Sequence, residues 1–248
     1  MTSFSQDQLL ILLLSPAIGS FIGLLADRLP RGEPIALTRS ACRSCARPLA
    51  PRDLMPVLSF LITRGRCRHC GATLPGWLLY TELAAIGLAV WAVMVAEVIP
   101  APLIATALWL LLALCLCDLL WLRLPDLLTG ALALFALGLS WAGYGPSLML
   151  ALIGMVCGAG SFWGIRLIYR HLRGREGLGL GDVKLMAGLG ALIGPFDLPL
   201  VVLIAAASLL AVAVSRALTG TTPLTARQPL PFGAALAAAG GLFYVLSL

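Results

Sequence analysis

The chain has 248 residues, 60% of them hydrophobic and 11% charged, and a net charge of +6. A soluble globular domain carries about 25% charged residues, so this composition excludes one and indicates a polytopic, all-α membrane protein built on apolar runs of about 20 residues. The basic excess, sixteen arginines and one lysine, is not a nucleic-acid footprint. Nine arginines lie between Arg28 and Arg68, four lie between Arg166 and Arg175, and Arg123, Lys184, Arg216 and Arg227 border apolar runs. All can share one membrane face, as the positive-inside rule requires of cytoplasmic loops.

In chain order, the first span is expected over about Gln8 to Leu25. No basic stretch precedes it and arginines follow it, so it reads as a transmembrane helix with its N-terminus outside rather than a cleaved leader. A polar section from Asp27 to Gly76 follows, rich in Arg, Pro and Cys, and it is the one sizeable extramembrane segment. Further spans are expected at Trp77 to Ile99, Ala101 to Leu122, Asp126 to Trp141, Ser147 to Tyr169, a short Val183 to Ile193, Leu198 to Leu218, and Leu230 to Leu248. These make eight crossings, the sixth short enough to be tilted, partly buried in protein or preceded by a non-helical entry. With that count every basic residue falls inside, while Asp7, Glu97 and Asp197 fall outside. The domain division is then 1–26 for the first helix, 27–76 for a cytoplasmic loop domain and 77–248 for the transmembrane core.

Within the loop, Cys42-Arg43-Ser44-Cys45 and Cys67-Arg68-His69-Cys70 form two Cys-x-x-Cys pairs separated by 21 residues. Four thiolates on two knuckles suit a tetrahedral structural zinc, which would offset the shortage of large apolar side chains in the loop. Reduced thiols or local disulfides are the other reading, and a cytoplasmic face disfavours disulfides. His69, between two cysteines, reads as a surface residue, and Cys115, Cys117 and Cys157 as small packing residues within spans.

Two carboxylates fall at inner helix ends: Asp118, and Asp182 in Gly179-Leu180-Gly181-Asp182. A charged side chain at a helix centre in the bilayer costs roughly 2.5–3.5 kcal/mol, so such residues are expected to work, and acid–base chemistry needs two of them close together. The glycines suit a close approach of backbone to substrate or a turn with positive φ. Asp126, after Pro125, is expected to cap a helix, and Lys184 to mark the inner boundary.

Taken together, Gly-x-Gly-Asp, an Asp eight residues before the Asp of Leu124-Pro125-Asp126, and the four-cysteine loop resemble the bacterial type IV prepilin peptidases. These belong with the Gly-x-Gly-Asp intramembrane aspartyl proteases. Asp53 to Phe60, Arg64-Gly65-Arg66-Cys67, Glu82, Gly19-Ser20-Phe21 and Arg28-Leu29-Pro30 match as well. The resemblance implies that Asp118 and Asp182 form a catalytic dyad cleaving the leader of prepilins or pseudopilins at the cytoplasmic face of the inner membrane. It also implies N-methylation of the new N-terminus with S-adenosylmethionine, carried over to Gly65 and Glu82. Departures at Ile22-Gly23, Leu54, Trp77 to Leu79 and Leu119 to Arg123 lie mostly in the part tied to methyl transfer. Other readings are a proton- or metal-coupled transporter using the two aspartates as relays, and a scaffold whose loop docks a cytoplasmic partner. A transporter would be expected to show repeated halves, and a scaffold leaves the aspartates unexplained.

Overall fold

The computed structural model describes residues 5–36, 39–174, 177–219 and 230–248. Arg175 and the Gly220 to Gln228 loop with Arg227, both read from the sequence as inner, lie outside the described residues. Within them are α1 (Gln6–Arg28), α2 (Leu58–Thr63), α3 (Trp77–Val95), α4 (Ala101–Trp121), α5 (Asp126–Trp141), α6 (Leu148–Arg173), α7 (Leu180–Ile193), α8 (Leu198–Leu218) and α9 (Phe232–Leu246). No strand occurs among the described residues, only two isolated bridges.

Five helices, α1, α3, α4, α6 and α8, are long and apolar enough to cross a membrane, and α5 and α9 are shorter apolar helices. Their outward faces carry Leu134 (73% exposed), Val156 (68%) and Leu210 (65%), a surface suited to lipid and costly in water. The chain is a membrane protein.

Several boundaries differ from expectation: α6 runs to Arg173, four residues past Tyr169, and α1 to Arg28, three past Leu25, and two further shifts have clear physical consequences. α3 stops at Val95 rather than Ile99, with Ala96 already extended (ψ 92°), which leaves Glu97 beyond the helix, as a charge costly in hydrocarbon should be. α7 begins at Leu180, three residues before the expected Val183, which puts Asp182 inside its first turn.

The chain packs as two compact units divided between Trp109 and Leu110. In the first, which joins α1, the cysteine loop and α3, α1 lies along α3 so closely that a Cβ at Gly19 would be 2.6 Å from the Glu82 Cα. The Trp109 indole N–H donates to the Ala85 carbonyl at 3.0 Å and holds the start of α4 there.

In the second unit α7 is the central helix, packed against α5, α6, α8 and α9. Eight of its 14 residues are buried, so of the readings open for the short sixth span the fold shows partial burial in protein. Small residues make this possible. Gly190 of α7 meets the backbone of Gly154 on α6, and Gly188 meets the Leu132 side chain of α5. Such contacts replace the hydrophobic drive that lipid cannot supply.

Candidate active site

Asp118 lies in the last turn of α4, its carbonyl accepting the Leu122 N–H, after which Leu122 takes a positive φ of 52° and the helix ends. Its side chain is 6% exposed. The buried partner is the N-terminus of α9: the Ala234 N–H donates to Asp118 Oδ2 at 2.8 Å, and the Gly233 N–H is directed at the same carboxylate.

Asp182 is the third residue of α7, and its carboxylate reaches back to the Gly179 N–H at the helix cap. This is half of a capping box, with the side chain satisfying a donor that the helix leaves orphaned. Neither glycine of the motif has positive φ, so the turn explanation fails, and the close approaches seen here are to protein side chains. A Cβ on Gly179 would sit 3.2 Å from Asp182 Oδ2, and one on Gly181 would sit 2.8 Å from the Leu124 Cβ. The loop entering α7 is tied down by Arg166 of α6, whose guanidinium donates to the Leu178 carbonyl at 2.6 Å.

The two carboxylates converge at Gly233. The point where its Cβ would stand is 2.9 Å from Asp182 Oδ1, 3.1 Å from Asp118 Oδ2 and 2.8 Å from Leu124 Cδ1. The two oxygens are therefore no farther apart than the sum of the first two distances. Residues 64 apart in sequence thus form one carboxylate pair, a geometry in which one group can hold a proton while the other accepts one. Gly233 and Ala234 were not singled out by the sequence. The signal available was Pro231-Phe232-Gly233 opening an apolar run, which reads only as a helix start.

Asp126 does not cap α5. It occupies the first helical position behind Pro125, where its side chain points to solvent and pairs with Lys184 Nζ at 2.6 Å. Lys184 is thus paired across α5 and α7. Cys117 is buried and Cys115 partly so, as packing residues, whereas Cys157 is exposed, off the Ala151, Gly154, Gly158 and Phe162 stripe that α6 buries.

In the first unit Cys42, Cys45, Cys67 and Cys70 come together, with their sulfurs within 4.8 Å of one another. All are free thiols. Cys42 Sγ and Cys70 Sγ are 3.8 Å apart, close to the roughly 3.8 Å edge of a tetrahedron with 2.3 Å zinc–sulfur bonds. The halves have matching geometry: Ala46 N–H closes on the Cys42 carbonyl and Gly71 N–H on the Cys67 carbonyl, both residues at positive φ (56° and 70°). Backbone N–H groups of Cys45 and Ser44 bring the Cys42 thiol down to about 6. The Ala72 N–H favours the Cys70 thiolate, but burial and the neighbouring sulfurs push that thiol up to about 11. Four such sulfurs suit a metal ion such as zinc, whose charge lets all of them ionise. His69 is outside the cluster, exposed beside Arg47 at 3.3 Å.

Glu82, 9% exposed, accepts the Val57 N–H at 2.7 Å, and the Ser20 hydroxyl also reaches it. Val57 has φ 60° and ψ −53°, and the Leu58 N–H bonds to the Pro56 carbonyl. This is a γ-turn of the strained kind, rare for a β-branched residue. Glu82 lines a cavity of about 480 Å³ with Ser20, Asp27, Arg28, Arg43 and Asp53. Gly65 does not line it: at φ 66° it lies under the Phe60 ring, 2.8 Å from where its Cβ would be, and Phe60 forms part of the wall.

Residues 13–96 match the family model described as the Bacterial Peptidase A24 N-terminal domain, and residues 105–215 match that of the Type IV leader peptidase family. The chain is 40% identical over 215 residues to a prepilin leader peptidase/N-methyltransferase of Burkholderia pseudomallei, covering 86% of this chain and 69% of the relative. It is 34% identical over 256 residues to one of Aeromonas hydrophila (93% and 88%), and 37% over 204 residues to one of Klebsiella pneumoniae (76% and 86%). No solved structure matches.

Proposed function

The chain belongs to the Type IV leader peptidase family, and from that premise we propose that Asp118 and Asp182 hydrolyse the leader peptide bond of type IV prepilins or pseudopilins. The observation that carries this reading is the meeting of the two carboxylates at Gly233. A water between them would lose a proton to one carboxylate as it attacks the scissile carbonyl. The other, protonated, would donate to the carbonyl oxygen and later help the amine to leave. The pair titrates as a unit. The family match lends no support to the transporter reading.

The enzyme lies in the inner membrane with the dyad toward the cytoplasm, a placement supported by the clustering of basic residues near the inner helix ends. The four cysteines hold a structural zinc. S-adenosylmethionine is the ligand of the Glu82 cavity, whose volume of about 480 Å³ falls within the roughly 300–1,000 Å³ of small-molecule sites. The buried Glu82 carboxylate and the surrounding charges of both signs suit a zwitterion with a cationic centre. When bound, that cofactor supplies a methyl group for the new N-terminal amine; Glu82 holds and orients it, and Gly65 acts through Phe60. Equilibrium binding of S-adenosylmethionine to Glu82→Gln protein tests this assignment, and wild-type affinity would overturn it.

For the peptidase, purified protein in detergent is incubated with a prepilin-type peptide. Asp118→Asn and Asp182→Asn are each expected to lose cleavage by about 10³-fold or more, the scale of acid–base catalysis by positioned groups. Retained cleavage in either variant removes that residue from the dyad.

A further inference from the structure

We propose that the first turn of α9, through the Ala234 N–H and the bare Cα of Gly233, is a third component of the peptidase site that positions Asp118 against Asp182. The inference rests on the reading of these aspartates as the catalytic pair.

Ala234 is the third residue of α9, so its N–H has no intrahelical acceptor and must bond elsewhere or remain orphaned. Asp118 Oδ2 takes it at 2.8 Å inside the unit. A carboxylate at a helix N-terminus is favoured by the aligned peptide dipoles, and a hydrogen bond to a charged group is about twice as strong as a neutral one. One Asp118 oxygen is thereby fixed to the backbone, and it is the same Oδ2 that meets Asp182 Oδ1 beside Gly233. The neighbouring residue has to be glycine on steric grounds. With Asp182 Oδ1, Asp118 Oδ2 and Leu124 Cδ1 all within 3.1 Å of its Cβ position, any side chain at 233 would separate the carboxylates.

The turn is itself held in place. Phe232 stacks on Phe162 of α6, with ring centroids 6.2 Å apart and planes at 13°, and Phe162 is 4% exposed. α6 also supplies Arg166, which ties down the loop entering α7. The same helix thus fixes the approach of both carboxylates, through the start of α9 and through the Gly-x-Gly-Asp loop.

Proline tests the donor directly. Ala234→Pro replaces the N–H with a ring carbon in the first turn, where proline is tolerated, so Asp118 Oδ2 loses its donor and is pushed away from the start of α9. Ala235→Pro removes the next N–H, which bonds weakly to the Pro231 carbonyl at 3.4 Å and does not touch Asp118. Cleavage of a prepilin-type peptide is measured for both, with thermal unfolding in detergent. Ala234→Pro is expected to lower kcat about 10- to 100-fold, the size of one hydrogen bond to a charged group, with KM unchanged. Ala235→Pro should cost more thermal stability and far less kcat. Wild-type kcat in Ala234→Pro, or equal losses in the two prolines, would overturn the inference. Gly233→Ala keeps the inference falsifiable if proline prevents folding: kcat should collapse, and full activity would overturn it. Asp118→Asn in the same assay separates the levels. An active Asp118→Asn removes the underlying dyad, whereas an inactive one beside a fully active Ala234→Pro removes only the role of α9.

Discussion

The carboxylate pair in the second unit and the four-cysteine cluster in the first are both small groups of reactive side chains, and they are held by opposite means. The carboxylates are fixed by helix ends and by glycines that let elements approach closely, as at Gly190 on the Gly154 backbone and Gly181 on the Leu124 side chain. The cysteine loop has one close glycine contact, Gly65 under the Phe60 ring, and none of its described glycines meets another backbone. Leu54, Met55, Leu58, Leu61 and Ile62 are all exposed, and the segment is held by ion pairs such as Arg68–Asp53 and Arg43–Asp27, both at 2.6 Å, and by the convergence of four thiols. Inside a bilayer, apolar burial does not distinguish a helix neighbour from lipid, so precision comes from close van der Waals contact. Outside it, a short segment without a core depends on ligation.

The contrast can be broken at either end. The largest effect is expected from Cys67→Ser or from chelation. Structural zinc in small domains supplies about 10–16 kcal/mol of folding free energy, so the loop should lose metal and become sensitive to protease while the carboxylate unit keeps its thermal transition. A loop equally protease-resistant without metal would contradict the difference. Gly190→Ala is the reciprocal test. Its Cβ would collide with the Gly154 backbone, which cannot rotate away, and overpacking of this kind costs about 3 kcal/mol or more. Thermal unfolding and cleavage should both suffer, with metal content unchanged; a neutral outcome would show that α6 and α7 are not held by that contact.

A smaller, pH-dependent effect sharpens the account of the loop. Burial opposes ionisation of Asp53, but the Arg68 guanidinium and the Ala50 N–H outweigh it and hold the carboxyl below its usual value. A depressed folded-state pKa stabilises above the unfolded value, about 3.9 for Asp, and the contribution is lost as pH falls through the folded one. Protection of the loop should therefore weaken at pH values below about 4, and Asp53→Asn should flatten that dependence. Parallel acid profiles for the two proteins would remove the Arg68 pair from the account. The smallest effect belongs to Ala46, which holds the left-handed position that Gly71 fills in the other knuckle. Ala46→Gly should raise loop stability by about 0.5 kcal/mol, the relief of left-handed strain less the added freedom of the unfolded chain. A loss of stability there would show that the two knuckles are not equivalent.

These regions also differ in how far the sequence reveals them. The cysteines announce themselves by spacing, because a metal site needs donor atoms at short fixed intervals. Asp118 and Asp182 stand out because a charge at the end of an apolar run needs a reason. Gly233 and Ala234 carry no such mark. A backbone N–H has no letter of its own, and its bond to Asp118 exists only once α9 has packed beside α4 and α7. The same holds for Val57, whose strained turn and bond to Glu82 depend on a contact 25 residues away. The misplaced start of α7 has a local cause. Gly179 and Gly181 suit a positive-φ turn ahead of a helix, whereas in the fold they are helical or capping residues that make room for Asp182 and Leu124.

The most direct test of the convergence is chemical cross-linking. Asp118→Cys and Asp182→Cys are combined with Cys115→Ala, Cys117→Ala and Cys157→Ala, and the protein is treated in the membrane with a short bifunctional thiol reagent. A single reagent bridging positions 118 and 182, found by mass spectrometry of the digested protein, is the expected result. Two separate mono-adducts with no bridge would contradict the meeting of these residues at Gly233.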